Sequence, residues 1–229
     1  MHERLNELLL QLPDCDFERL HPHLKLVSLV EGAHLYEPGD PIDQIIFPIT
    51  ALVAIAIVLE NGSSIDTAII GSDGLLGLRG IDEGTSVHRF HVASSGLAYQ
   101  ISRTQLLRES QHGPAIYRMC TQAGIQMIRK MSSEVACANF HTIDQRLAKW
   151  ILIRHDMDRS SSIHGSHQTI ADSLGVRREA VTNAMTKLRG ISHSRCQIFV
   201  ENHSLLKQHS CECYAAQRNI HPFQMSFQF

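Results

Sequence analysis

Residues His167 to Gly190, HQTIADSLGVRREAVTNAMTKLRG, hold two short amphipathic patterns separated by a glycine, and this spacing constrains the fold more than any other feature of the chain. Ile170, Ala171 and Leu174 share one helical face; beyond Gly175, Val181, Ala184, Met185 and Leu188 recur at steps of three and four. Glycine readily takes the left-handed conformation at a helix end, and so few residues separate the stripes that the second helix must cross the first. The pattern predicts a helix-turn-helix whose second helix starts near Arg177. In that motif the N-terminal residues of the second helix meet base edges in the major groove. Glu179 suits the positive end of the helix dipole as an ordinary surface charge. Arg177 and Arg178 do not, a cost that contact with phosphate or guanine offsets.

Charge is divided unevenly along the chain. Residues 1–110 carry seven Lys/Arg against fifteen Asp/Glu, whereas residues 140–200 carry nine against five. An acidic half repels a polyanion and a basic part attracts one, so a nucleic-acid role belongs to the C-terminal part. With 229 residues, 43% of them hydrophobic, the chain is long enough for two domains. The N-terminal MHERLNELLLQL has charges on both sides of a short apolar run and no cleavage-type pattern, which reads as a cytoplasmic protein. The longest uncharged run, Gln44 to Leu59, contains Pro48 and is shorter than the ~20 apolar residues a spanning helix needs; two buried strands are expected there, and no membrane partner.

Six cysteines, at 15, 120, 137, 196, 211 and 213, include no C-x-x-C pair, so they read as plain thiols rather than a zinc site or a disulfide framework. His88 and His91 are close in sequence but face opposite sides of an expected strand. No metal site and no cofactor is expected. Nor does any Ser-His-Asp pattern or glycine-rich phosphate loop point to an enzyme.

Two short helical segments, roughly 3–11 and 16–21, precede a region from His23 to about Ser102 in which turn clusters such as EPGDP, ENGSS, GSDG, DEG and SSG separate strand-like runs. The Asn61-Gly62 step predicts a hairpin, and the regular spacing predicts a closed roll. From Pro114 to about Asn139 the punctuation stops. Ile116, Cys120, Ala123, Met127, Met131, Val135 and Ala138 form a seam at steps of three and four. Seven turns exceed what a small roll covers, and Ala123 and Gly124 allow close approach, so the seam is read as a homodimer coiled coil. Residues 142–156 give a further amphipathic helix, which leads through the polar linker DRSSS into the helix-turn-helix. Alternation in SRCQIFVE predicts a small hairpin, the wing of such a domain.

This order of parts resembles the Crp/Fnr family of bacterial transcription regulators over nearly the whole chain. The matches lie in IIGSDGLLGL (69–78), FHTIDQRLAKWIL (140–152), IADSLGVRREAVTNAMTKL (170–188) and CECY (211–214). The resemblance implies an α+β fold. Residues 1–112 would form a cyclic-nucleotide-binding-like β-roll (jelly-roll) with a sensor role, 113–140 a long dimerisation helix and 141–213 a winged helix-turn-helix, with a tail at 214–229 left unassigned. It further implies a homodimer joined through Ile116, Cys120, Ala123, Met127 and Met131, on a palindromic DNA site, with RNA polymerase and an unidentified small-molecule effector as further partners. Carried over by position, the base-contacting residues are Arg177, Arg178, Glu179 and Asn183, while Gln168, Thr169 and Lys187 would meet phosphates.

The sequence departs from the family at three places. Members that bind cyclic AMP carry Glu after the glycine of the phosphate cassette and an Arg-Ser or Arg-Thr pair further on; here Leu78 follows Gly77, and Phe90 follows Arg89. Gly77, Leu78 and Arg89 thus mark an effector pocket that is not built for cyclic AMP. Asn183 stands where several members have arginine, which favours adenine in the target. The stretch KLRGISHS is compressed, and Arg195-Cys196-Gln197 occupies a turn that normally holds glycine, so a shortened or mis-set wing is expected. A competing reading follows from that wing: a ligand-binding module with weakened DNA binding that acts through protein partners.

Overall fold

Strand-forming runs broken by turn residues build two antiparallel sheets in the N-terminal half of the computed structural model, which describes residues 6–78, 84–157, 162–194 and 196–218. Helices α1 (Glu7–Leu10) and α2 (Asp14–Leu20) come first. The strands are β1 (Lys25–Leu29), β2 (His34–Tyr36), β3 (Gln44–Pro48), β4 (Leu52–Val58), β5 (Ser64–Ile70), β6 (Arg89–Ser94) and β7 (Gly96–Ser102). One sheet has the order β1-β7-β3 and the other β2-β6-β4-β5. The run from Gln44 to Leu59 forms β3 and β4, and Leu52 to Ala56 are all buried, which explains why it reads as continuously apolar rather than alternating. The β4–β5 hairpin turns at Asn61-Gly62. Gly62 has φ +83°, and Asn61 Oδ1 accepts from the Ser63 N–H at 2.9 Å.

After α3 (Arg103–Ser110), α4 (Pro114–Phe140) runs for 27 residues, about 40 Å at 1.5 Å per residue. The helix is as expected, but its phase corrects the sequence reading. Ile116, Met119, Cys120 and Ala123 are buried in the chain's own core with Leu8, Leu9, Phe17, Phe47, Leu75 and Leu106, and Met127 and Met131 pack partly against the second roll cluster. The apolar side chains left exposed are Tyr117, Ile125, Ile128, Val135 and Phe140; Tyr117 and Ile128 follow seam residues by one position, and Val135 belongs to the seam itself. Side chains one residue apart differ by roughly 100° in direction, so the seam from Ile116 to Met131 faces the roll, whereas its last two members, Val135 and Ala138, are exposed. A buried Lys130 fixes this phase, its ammonium donating to the Ile69 carbonyl at 2.9 Å and to Asp73 at 2.6 Å.

The C-terminal part comprises α5 (Ile143–Met157), β8 (Ile163–His164), α6 (His167–Leu174), α7 (Arg178–Lys187), β9 (Ile191–Ser194), β10 (Gln197–Val200), α8 (His203–His209) and α9 (Cys213–Arg218). Trp150, Ile151, Ile170, Leu174, Val181, Met185 and Leu206 share one core there. The wing is a three-stranded sheet of order β8-β10-β9, with Gln197 paired to Ser194. The compressed segment therefore still forms its hairpin. Arg195, the linker residues 158–161 and residues 82 and 83 of the DEG cluster lie outside the described residues, as does the tail beyond 218. Tyr214 is buried in α9, and its hydroxyl donates to Asp156. Among the described residues, no helix is long and apolar enough to cross a membrane.

The two halves meet where α6 lies on β5. Asp66 of β5 accepts from the Ser173 hydroxyl and lies 3.5 Å from the buried Arg154 guanidinium and 3.8 Å from His91. Arg154 also stacks on Trp150, 3.7 Å from the ring centroid. Burial lowers Arg154 to about 10, opposed by the Asp66 charge, so it stays protonated at neutral pH.

Candidate nucleic-acid interface and effector cavity

The geometry of the helix pair follows from its caps. The Ser166 hydroxyl accepts from the Thr169 N–H and starts α6; Gly175, at φ +63° and ψ +41°, ends it in the left-handed conformation. A Cβ there would lie 2.9 Å from Ile65, so both conformation and space favour glycine. Arg146 of α5 donates to the Leu174 carbonyl, placing a cation at the C-terminal end of α6. Trp150 Nε1 donates to Ser173 at 2.8 Å, which pins α6 to α5.

The second helix then starts where predicted. Arg177 is its N-cap in extended conformation, and α7 presents Val181, Ala184 and Met185 to the core. Arg177, Arg178, Glu179, Asn183 and Lys187 are all exposed. Glu179, Asn183 and Lys187 follow at steps of four along one outward face, with Arg178 beside them at the first turn. Lys187 lies 3.2 Å from Asp144 of α5. Gln168 and Thr169 are exposed too, but in α6 and engaged locally: Gln168 donates to Asp172 at 2.7 Å, and the Thr169 hydroxyl lies 2.8 Å from that of Ser166. The arginine pair and Asn183 thus share a helix, while the two α6 residues stand apart from them.

A cavity of about 500 Å³ opens between the roll and α4, walled by Ile42, Leu78, Phe90, Tyr117, Cys120 and Met127 among others. Gly77 and Leu78 are among the residues that line it. Gly77 has φ +89°, and a Cβ on it would meet the Gln44 carbonyl at 2.5 Å, so its first role is the turn itself. Arg89 does not line this cavity. Its Nε donates to both Glu37 oxygens, at 2.9 and 3.0 Å, and it borders a different cleft, between the roll and α6, beside Asp66, His91 and Arg154. Among the described residues, none lining the α4 cavity is Asp, Glu, Lys or Arg, and burial holds its one histidine, His88, below the ordinary range.

The fold combines an N-terminal β-roll, a long helix and a C-terminal winged helix-turn-helix. Residues 145–208 match the family model of the Crp-like helix-turn-helix domain. No curated protein sequence matches the chain. Solved structures share its fold. FixK2 from Bradyrhizobium japonicum is 18% identical over 82% of this chain and 98% of its own, with a TM-score of 0.66. A CRP/FNR transcriptional regulator from Thermus thermophilus is 17% identical over 81% and 98%, with a TM-score of 0.69. CLP of Xanthomonas campestris, a c-di-GMP-responsive global regulator, is 15% identical over 83% and 100%, with a TM-score of 0.64. Residues 145–208 are thus a Crp-like helix-turn-helix domain, and the fold of the whole chain is that of solved CRP/FNR regulators.

Proposed function

We propose that this chain is a transcription regulator, that it acts as a homodimer and reads a palindromic site through Arg177, Arg178, Glu179 and Asn183, and that an uncharged, largely apolar ligand other than cyclic AMP sets its activity. The observation that carries the DNA-reading role is the exposed first turn of α7, where two arginines are held outward although the dipole there disfavours cations. Arg178 suits bidentate donation to guanine, Glu179 acceptance from cytosine and Asn183 adenine. Lys187 serves a phosphate. Gln168 and Thr169, bonded within α6, serve phosphates only after exchanging those contacts.

The dimer surface assigned here is the exposed stripe of Tyr117, Ile125, Ile128 and Val135, which keeps Val135 of the expected seam and replaces its roll-facing part. Tyr117 and Ile128 also border the cavity, so a ligand there touches the face a second copy would cover, which gives binding a route to the spacing of the two recognition helices. The lining supports an apolar effector because a phosphodiester would find no cationic donor among its described residues. Selection of binding sites from random DNA tests the reading. Recovery of a two-fold symmetric sequence is expected; selection of no sequence would favour a module that acts through protein partners.

A further inference from the structure

Four metal-ligating side chains that are scattered in the sequence converge where the end of α4 meets α9. Cys137 is in the last turn of α4, His141 is the extended residue that ends it, Cys211 precedes α9 and Cys213 begins it. Their ligand atoms all lie within 4.8 Å of one another. Cys137 Sγ is 3.6 Å from Cys211 Sγ, and Cys213 Sγ is 3.7 Å from His141 Nδ1. All three cysteines are buried, in a small cluster separate from the apolar cores.

We propose that Cys137, His141, Cys211 and Cys213 form a structural zinc site. Zn–S bonds of about 2.3 Å and Zn–N bonds of about 2.0–2.1 Å at tetrahedral angles require roughly 3.8 Å between sulfurs and roughly 3.5 Å between sulfur and nitrogen, close to the two separations observed. Three thiolates and an imidazole complete the coordination, which leaves no position for substrate and marks the site as structural. Soft sulfur ligands select zinc over magnesium or calcium. The closeness of all four ligand atoms suits one ion, since irons in a cluster would spread their ligands further apart.

The surroundings complete such a site. His141 Nε2 lies 3.1 Å from Glu212, so a carboxylate holds the outer nitrogen as N–H and leaves the Nδ1 lone pair facing the cysteines. The buried Lys149 faces Cys137 and lies 2.6 Å from Glu134, which supplies positive charge beside a centre whose three thiolates exceed the charge of the ion. The ligands come in two local pairs, C-x-x-x-H where α4 ends and C-x-C where α9 begins. One ion there ties the C-terminus of the DNA-binding part to the junction between the long helix and α5. Metal occupancy thereby fixes the mount of the recognition helix, independently of what that helix reads.

The test uses the full chain, purified without a metal-affinity step and kept reduced, with bound metal measured by plasma mass spectrometry. About one zinc per chain is expected, falling roughly tenfold or more in Cys211→Ser/Cys213→Ser and staying unchanged in Cys15→Ser/Cys196→Ser. Glu212→Gln, at an exposed position, should keep the fold and weaken zinc affinity by roughly 10–100-fold. Cobalt(II) added to the metal-free wild-type chain should give the visible absorption of a tetrahedral thiolate site, a readout that needs no variant. The proposal is overturned if folded wild-type protein takes up neither zinc nor cobalt, if zinc survives the double substitution, or if Cys137 and Cys211 are joined as a disulfide in the native chain.

Discussion

Arg178 and Lys187 sit at opposite ends of α7, both exposed, yet they should fail differently when removed. Arg178→Ala should weaken a selected operator by roughly 1–3 kcal/mol per half-site and relax discrimination at one base position. Lys187→Ala should weaken operator and scrambled DNA alike and shallow the salt dependence by about one ion per contact. Titrations of both variants on both DNAs at several salt concentrations separate the two. Equal losses on both DNAs for Arg178→Ala would reduce it to a phosphate anchor. A second residue-scale consequence lies at His91, which burial holds below its ordinary 6.5, Asp66 opposing and Arg154, His34 and Arg89 adding to the depression. The neutral form is favoured by the fold, so the unfolded chain binds the extra proton first. Stability from this group is present above pH 6.5 and is lost as pH falls from there toward the lower folded value. His91→Gln should flatten that part of the stability profile measured by denaturant midpoints between pH 7.5 and pH 5; an unchanged slope would remove His91 as its source.

At the scale of elements, the wing turn shows how the chain accommodates a missing glycine. Cys196 takes φ +68°, a left-handed conformation that costs a non-glycine residue roughly 1–2 kcal/mol. Cys196→Gly should relieve most of that, less the greater entropy glycine loses on folding, for a net stabilisation of about 0.5–1 kcal/mol. Thermal unfolding checks this, and a lower midpoint in the variant would show that the cysteine side chain contributes packing. The wing and the helix-turn-helix were legible because their signals are local: Gly175, the 170/174 and 181/185 spacings and the alternation after Gly190 each fix their own neighbourhood. The phase of α4 was not. A period of three and four is shared by two adjacent stripes on that helix, and the one that faces the roll is chosen by Lys130 reaching Asp73, a contact between residues 57 positions apart. Arg89 was misplaced for a related reason: position in the chain put it near a pocket, but Glu37 on the other side of β6 holds its guanidinium. The converging cysteines and His141 escaped because their signal is two short pairs more than 70 residues apart, not one C-x-x-C.

For the whole molecule, the assignment of the exposed stripe on α4 as the interface between copies separates two neighbouring residues. Both border the cavity, but Ile128 is 65% exposed in the single chain, whereas Met127 packs partly against the roll core. Ile128→Glu should leave the monomer folded and place an unpaired charge in the interface. The cost is about 3–5 kcal/mol for one uncompensated buried charge, and two-fold symmetry introduces it twice. Even the lower figure raises the dimer dissociation constant by more than about 100-fold. Sedimentation should therefore show monomers at concentrations where the wild-type chain is dimeric, and binding to a palindrome should fall toward that of an isolated half-site. Met127→Glu should do something else. Its charge would enter the roll-facing side of α4, lowering thermal stability and disturbing the cavity while leaving the stripe itself intact. If Ile128→Glu sedimented as an unchanged dimer while Met127→Glu dissociated, the partner helix would have to approach from the roll side, and the interface assigned to Tyr117, Ile125, Ile128 and Val135 would be withdrawn.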